Sequence, residues 1–326
     1  MTDEIFGNIT ALEAFSSMFR SGRIPHSILI YGEKGLGKKL LAKRLAMALL
    51  CENRRDGIPC GECRSCRNIM KNVHPDVIFP EKSGKLMTYT AEICREVCSD
   101  CIVLPNDGSA KVYIFSDCDS IKIPAQNSLL KIVEEPPGHV YFIFTASSKD
   151  VFLPTIISRV TGIPVCPCSI DECISALVKK GHSVEEAEAA ADVFGGNIGK
   201  CIGYIGDEAL REVTGLTKSA ADSIIRGDEY GLLKILSSPV LKDREAMNGF
   251  LGMLSCIIRD STVIKFGADA ELSGCSRTLA QKLSDKFSVG SAEKIYRSIE
   301  RAASDMKANV NPSLITAVLC GEIISS

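Results

Sequence analysis

Four cysteines carry the sharpest chemical signal in the chain: Cys51, Cys60, Cys63 and Cys66, spaced Cys-x8-Cys-x2-Cys-x2-Cys. Thiolates bind Zn2+ tetrahedrally, and two-residue gaps let successive sulfurs reach one ion. Gly57 and Gly61, with Pro59, supply the tight turns, and Arg54, Arg55, Arg64 and Arg67 can offset the charge of four thiolates. Four sulfurs leave no open position for water, so the expected zinc is structural, not catalytic. The bland alternative, free cysteines near a helix end, does not account for four within 16 residues. A second group, Cys94-x3-Cys98-x2-Cys101, falls at i, i+4 and i+7 along a helix that also carries Ile93, Val97 and Ile102. That is the pattern of core packing. His74, in Val73-His74-Pro75-Asp76, reads as structural, and Cys166 and Cys168 carry no clear signal.

The second chemical feature is a phosphate loop with one part changed. Gly32-Glu33-Lys34-Gly35-Leu36-Gly37-Lys38 follows an apolar strand and opens a helix, which is the Walker A frame in its required context. Gly32, Gly35 and Gly37 let the backbone turn its amides toward a phosphate, the helix start adds positive charge, and Lys38 would reach the outer phosphates. The next residue should offer a hydroxyl to Mg2+, but here it is Lys39. An ammonium has no lone pair for a metal and repels one. The frame can still cradle a phosphate or a nucleotide, ATP or ADP, while Lys39 opposes hydrolysis. The metal-binding acids of P-loop ATPases end a later apolar strand. Here Lys111 to Phe115 end in Ser116-Asp117-Cys118-Asp119 instead of an adjacent Asp-Glu pair. Asp117 alone stays in register. Asp117 and Asp119 are as readily plain turn residues as the remnant of a metal site.

Alternating elements must position these groups. Apolar runs at Ile28–Tyr31, Val77–Phe79, Val112–Phe115, Val140–Phe144 and, more weakly, Ile163–Val165 read as strands. Helical stretches at about 38–50, 62–72, 90–103 and 124–135 separate them. This alternation predicts an α/β domain over 1–165 with a mostly parallel five-stranded sheet covered on both faces. Beyond Cys166 the strands stop. Ser169 and Ser183, each followed by acids, open helices. A small helical domain is expected over 166–208. An all-α C-terminal domain follows over 209–326, with breaks at Gly227, Ser237-Ser238-Pro239, Gly274 and Asn311-Pro312.

The wider composition narrows the setting. A net charge of −2 is poor for gripping DNA alone, since phosphate neutralisation supplies most non-specific affinity. The 15 cysteines are an odd number, and the opening Met1-Thr2-Asp3-Glu4 leads into no signal-like apolar run. A cytoplasmic protein that uses its clustered cysteines for metal is expected, and no apolar run reaches membrane-spanning length.

Arg23-Ile24-Pro25-His26, the phosphate loop and the cysteine module lead to Asn127-Ser128-Leu129-Leu130-Lys131-Ile132-Val133-Glu134-Glu135-Pro136-Pro137, and then to Thr155-Ile156-Ile157-Ser158-Arg159-Val160. This set, in this order over residues 20–165, resembles the AAA+ clamp-loader family of bacterial DNA polymerase III. Val160 stands where the family's Ser-Arg-Cys motif has cysteine. Leu129, Leu130 and Val133 also fall at helical spacing, so part of the signature is architecture. The resemblance implies an AAA+ P-loop domain, a helical lid and a C-terminal collar. It also implies gamma/tau and delta subunits as partners, and a sliding clamp on primed DNA as the object of the complex, within a nucleoid-associated replisome. Arg159, with Ser158, would be an arginine finger acting in trans on a neighbour's ATP. Within the family, Lys39, Ser116 and Gly199 point to the delta-prime type, not the gamma/tau motor. Gly199 stands where a Gly-x-x-Arg segment of the motor has its arginine. The end at Ser326, without a long tail, agrees. The rival readings are an ATP-hydrolysing gamma/tau-like motor and a zinc-dependent nucleic-acid-binding protein outside the loader.

Overall fold

Ile28, Leu29 and Ile30 are all buried, as are Val112 to Phe115 and Phe142 to Phe144. Strands apolar on both faces belong in a parallel sheet with helices on each side, and that is how they are placed. The structure, a computed structural model, describes residues 5–84, 87–268, 272, 274–308 and 310–325. The acidic opening Met1-Thr2-Asp3-Glu4 and the final Ser326 lie outside the described residues. The chain divides into two units, Met1–Cys168 and Ser169–Ser326.

The first unit runs α1 (Ile9–Arg20), β1 (Ser27–Tyr31), α2 (Lys38–Leu50), α3 (Arg64–Met70), β2 (Val77–Ile78), α4 (Ala91–Asp100), β3 (Lys111–Phe115), α5 (Ile123–Glu134), β4 (Val140–Ala146), α6 (Pro154–Ile157) and β5 (Thr161–Pro164). The five strands pair in the order β2-β3-β4-β1-β5, every pair parallel, with Ile28 beside Ile143 and Tyr113 beside Phe142. Alternate residues face opposite ways. Ile28, Ile30, Ile114 and Ile143 meet Phe15 of α1 and Leu41, Leu45 and Leu49 of α2. Leu29, Phe115, Phe142 and Phe144 meet Val97 of α4, Leu129 and Val133 of α5 and Ile156 of α6. On that second face Tyr113 stacks on Phe142 and Phe115 on Phe144, with ring centroids 5.5 and 5.1 Å apart.

Two readings need correction. The helix expected over about 90–103 stops at Asp100, so Ile102 is 75% exposed and takes no part in the core. The reason is a polar knot. The Lys111 ammonium pairs with the Asp100 carboxylate at 2.8 Å and donates to its carbonyl at 3.1 Å, while the Tyr113 hydroxyl donates to the same carboxylate at 2.6 Å. This knot ties the helix end to β3, and the chain turns. In addition, α1 was not anticipated.

The second unit contains only helices among its described residues: α7 (Ile170–Lys179), α8 (Val184–Phe194), α9 (Ile198–Gly206), α10 (Glu208–Arg226), α11 (Glu229–Leu236), α12 (Arg244–Lys265), α13 (Arg277–Lys286), α14 (Val289–Lys307) and α15 (Pro312–Ile324). Ser169 and Ser183 form capping boxes with Glu172 and Glu186. The core centres on Phe250, Leu254 and Ile257 of α12, packed with Leu283, Ile295 and Ile299. No described helix is long and apolar enough to cross a membrane.

One buried carboxylate organises the edge of the sheet near the cysteines. Asp76, with no exposed surface, accepts from the backbone N–H groups of Asn106, Asp107 and Gly108 at 2.5, 2.8 and 2.7 Å. Gly108 fits closely there: a Cβ would lie 2.9 Å from Leu50 Cδ2 and 3.3 Å from the Asp76 carboxylate, so a larger residue would make Leu50 shift. Asp107 then pairs with Arg64 of α3 at 3.1 Å. Burial works to raise the Asp76 pKa, but the three N–H donors outweigh it and hold the group below the usual carboxylate value. Stability from a depressed carboxylate is present above its ordinary pKa of about 4 and drains away as pH falls through the folded value. Asp76→Asn is therefore expected to cost about 2–3 kcal/mol at pH 7, with the gap to wild type narrowing below about pH 4. Urea unfolding at pH 7 and pH 3 checks this, and an equal gap at both would contradict it.

Candidate functional site

The phosphate loop sits between the end of β1 and the start of α2. Gly32 has φ 155°, and a Cβ there would lie 2.3 Å from the Val165 carbonyl oxygen, so no other residue fits. Gly37, at φ 78°, caps the helix. Lys38 is 6% exposed, and its ammonium donates to the Gly32 and Glu33 carbonyls at 2.6 and 2.8 Å. Burial lowers its pKa, opposed by the charges of Asp117, Asp119 and Glu33. Lys39 is exposed, with its ammonium 5.9 Å from the centre of the Phe79 ring, which Lys43 also overlies at 6.0 Å.

The end of β3 completes the pocket. Ser116 exchanges hydrogen bonds with the Tyr89 hydroxyl: its N–H donates at 2.8 Å and its carbonyl accepts at 2.9 Å. Its own hydroxyl is buried without a partner. Asp117 is left-handed at φ 50°. Its N–H donates to Thr145 Oγ1 and its carbonyl accepts from Lys82 at 2.7 Å. The Asp119 carboxylate accepts from the Ser147 N–H at 2.8 Å and from the Ser147 hydroxyl. These groups fit an anion: amides, a helix start and Lys38 converge on the loop. They do not fit magnesium, because an ammonium replaces the ligand hydroxyl and Ser116 replaces an acid. The sequence did not single out Lys82, Tyr89, Thr145 or Ser147. Thr145 and Ser147 were signalled only by polar residues ending the apolar run of β4.

The cysteines meet at the end of α2. Their four sulfurs lie within 4.8 Å of one another, with Cys51 to Cys60 at 3.5 Å and Cys51 to Cys63 at 3.9 Å. A tetrahedron of sulfurs around zinc has edges of about 3.8 Å, so the cluster fits such an ion. Backbone N–H groups of Cys60, Cys63 and Cys66 donate to the sulfurs of Cys51, Cys60 and Cys63 at 3.3, 3.3 and 3.4 Å. The Glu62 and Cys63 amides bring the Cys60 thiol down to about 7, whereas burial raises Cys51 and Cys66. Gly57, at φ 80°, passes so close to Phe19 that a Cβ would come within 2.8 Å of it. Arg54 and Arg64 beside the cluster each have contacts of their own. Arg54 lies over Phe19 and donates to the Leu49 carbonyl, and Arg64 pairs with Asp107. Cys94 and Cys101 are fully buried in the core against the sheet, and the buried His74 accepts from the Asp76 N–H.

Arg159 follows the single turn of α6. Its Nη1 donates to the Thr155 carbonyl at 2.8 Å and to Ser158 Oγ at 3.2 Å, and its Nη2 to Glu134 Oε1 at 2.9 Å. The side chain remains 36% exposed.

Residues 7–168 match the family described as "DNA polymerase III, delta subunit". These residues belong to the clamp-loader family of DNA polymerase III subunits. The clamp-loader match covers nearly all of the first unit, and the loop, the cysteines and Arg159 all lie inside it. The gamma subunit of Buchnera aphidicola from Acyrthosiphon pisum is 35% identical over 156 residues, covering 48% of this chain and 42% of that protein. The delta-prime subunit of Pseudomonas aeruginosa is 32% identical over 136 residues, 41% of each. The chain thus spans less than half the length of these two curated relatives. A solved gamma-related protein of Thermotoga maritima aligns over 97% of this chain and 99% of its own, at 16% identity and a TM-score of 0.42.

Purified protein is expected to carry about one zinc per chain, measured by elemental analysis. Replacing both Cys60 and Cys63 with serine should abolish it, and zinc should leave more readily as pH falls, since protons compete for the sulfurs. Full zinc in the double variant would place the metal elsewhere.

Proposed function

We propose that this clamp-loader subunit is of the delta-prime type: a stator with a disabled nucleotide pocket that lends Arg159 to the ATP site of a neighbouring motor subunit. The observation that carries the reading is the pairing of Lys39 with Ser116, which removes two magnesium-holding groups at once, while Arg159 stays outward and charged. A guanidinium placed on a γ-phosphate stabilises the charge that builds in the transition state, an effect worth about 10³–10⁵-fold in other NTPases. In this reading residues 1–165 form the AAA+ domain, 166–208 the lid and 209–326 the collar that joins the ring. The partners are the gamma/tau and delta subunits and, through them, the sliding clamp and primed DNA in the bacterial cytoplasm. The cysteine cluster holds a structural zinc that staples the end of α2 to α3. The loop takes at most a phosphate or nucleotide without metal.

One observation favours a gamma/tau-like motor instead: the gamma relative is slightly more similar than the delta-prime one, at 35% against 32% identity. That alternative needs a hydroxyl at position 39 and an acid at position 116, where this chain has Lys39 and Ser116. A free-standing zinc-dependent nucleic-acid binder is disfavoured by the net charge of −2.

Mixing the chain with its organism's motor and delta subunits should give a stoichiometric complex that hydrolyses ATP. Arg159→Ala should assemble normally but slow hydrolysis at the one site it faces by about 10³-fold or more. In a single-turnover experiment this appears as a slow phase, and unchanged kinetics would remove the finger role. Lys39→Thr alone should confer no turnover on the isolated chain, because Ser116 remains. Measurable gain from that single change would revive the motor reading.

A further inference from the structure

Arg159 stands at the end of a helix of one turn, and a long, rotamer-rich side chain on such a support has many directions to choose from. Two of its partners, the Thr155 carbonyl and the Ser158 hydroxyl, belong to the same short turn and move with it. The third comes from outside. Glu134 is the last residue of α5, 25 positions away in sequence, and its Oε1 accepts from Arg159 Nη2 at 2.9 Å. The place of Glu134 is itself fixed. Leu129 and Val133 bury the same helix against the sheet, and Pro136-Pro137 prevent the helix from running on.

We propose that Glu134 is a positioning residue for Arg159: its carboxylate holds the guanidinium in the orientation that presents its free edge to the neighbouring site. This rests on the finger reading above. A guanidinium has five N–H donors. The three bonds observed leave the Nε–H and one Nη2 hydrogen unspent, both available to phosphate oxygens. The brace therefore fixes direction without occupying the group. It also gives a physical reason for an acid at this point of the Asn127–Pro137 segment, which core packing alone does not require. Both partners are substantially exposed, at 36% and 53%. An exposed pair contributes little to folding, so its loss should register in catalysis and not in stability.

The test is a double-mutant cycle in the assembled loader, read by single-turnover ATP hydrolysis with clamp and primed DNA present. Glu134→Ala should slow the phase belonging to the site facing Arg159 by about five-fold, leaving the apparent ATP affinity and the melting temperature unchanged. Glu134→Gln, which keeps a neutral acceptor in place, should recover most of the rate. Combining Glu134→Ala with Arg159→Ala should be no slower than Arg159→Ala alone, because the two act as one unit. If Glu134→Ala slows the Arg159→Ala loader by the same factor again, Glu134 acts through something else and the proposal fails. If Arg159→Ala slows the reaction and neither Glu134 variant does, the positioning role falls while the finger stands. If Arg159→Ala itself changes nothing, both fall.

Discussion

Everything at the mouth of the nucleotide pocket follows from where the ammonium groups sit. Lys38 is carried inward by the helix start and satisfied by two carbonyls of its own loop. Lys39 is left outside against an aromatic ring. A third ammonium, Lys82, lies on the Asp117 carbonyl. A divalent cation brought to this place would meet fixed positive charge and, at position 39, an ammonium instead of a hydroxyl. A phosphate would meet amides and a lysine. The loop thus has Lys38 and glycine turns suited to a phosphate, and an ammonium instead of a hydroxyl at position 39.

Around that pocket the first unit is built to hold edges still. The parallel sheet is apolar on both faces, so its strands cannot slip without exposing a core. The cysteine cluster, whose Cys51 and Cys66 are themselves buried, gathers its four sulfurs where the end of α2 meets the start of α3. The Asp76 carboxylate gathers the turn before β3, and through Asp107 that turn meets the cysteine module. On the proposed stator reading such stiffness has a use: a subunit whose own nucleotide does no work would serve a ring by presenting surfaces at fixed positions.

Much of this was legible in the sequence where the signal is short-range or periodic. The cysteine spacing, the glycine loop and the capping serines each declare themselves within a few residues. The apolar runs of β1, β3 and β4 are long enough to be unambiguous. What escaped depends on partners far apart in the chain. That the arginines beside the cysteines could be counter-charges was readable, but not that Arg64 also meets Asp107 and Arg54 also meets Phe19. Ile102 continued the helical period of α4, but a Lys111–Asp100 pair ended the helix before reaching it. The α1 helix has only Ala11 and Phe15 buried, and its N-cap Asn8 makes no side-chain capping bond, so it gave little local signal. The Glu134–Arg159 contact joins two stretches that had each been noticed separately, without anything in either to say that they touch.

The claim that matters most is that the pocket cannot support magnesium-dependent catalysis while the chain retains an arginine for another subunit's use. Its most direct test is ATP turnover by the purified chain alone, at saturating ATP and magnesium. The account predicts phosphate release at background. Brisk hydrolysis by the isolated polypeptide would contradict it and make the chain a motor.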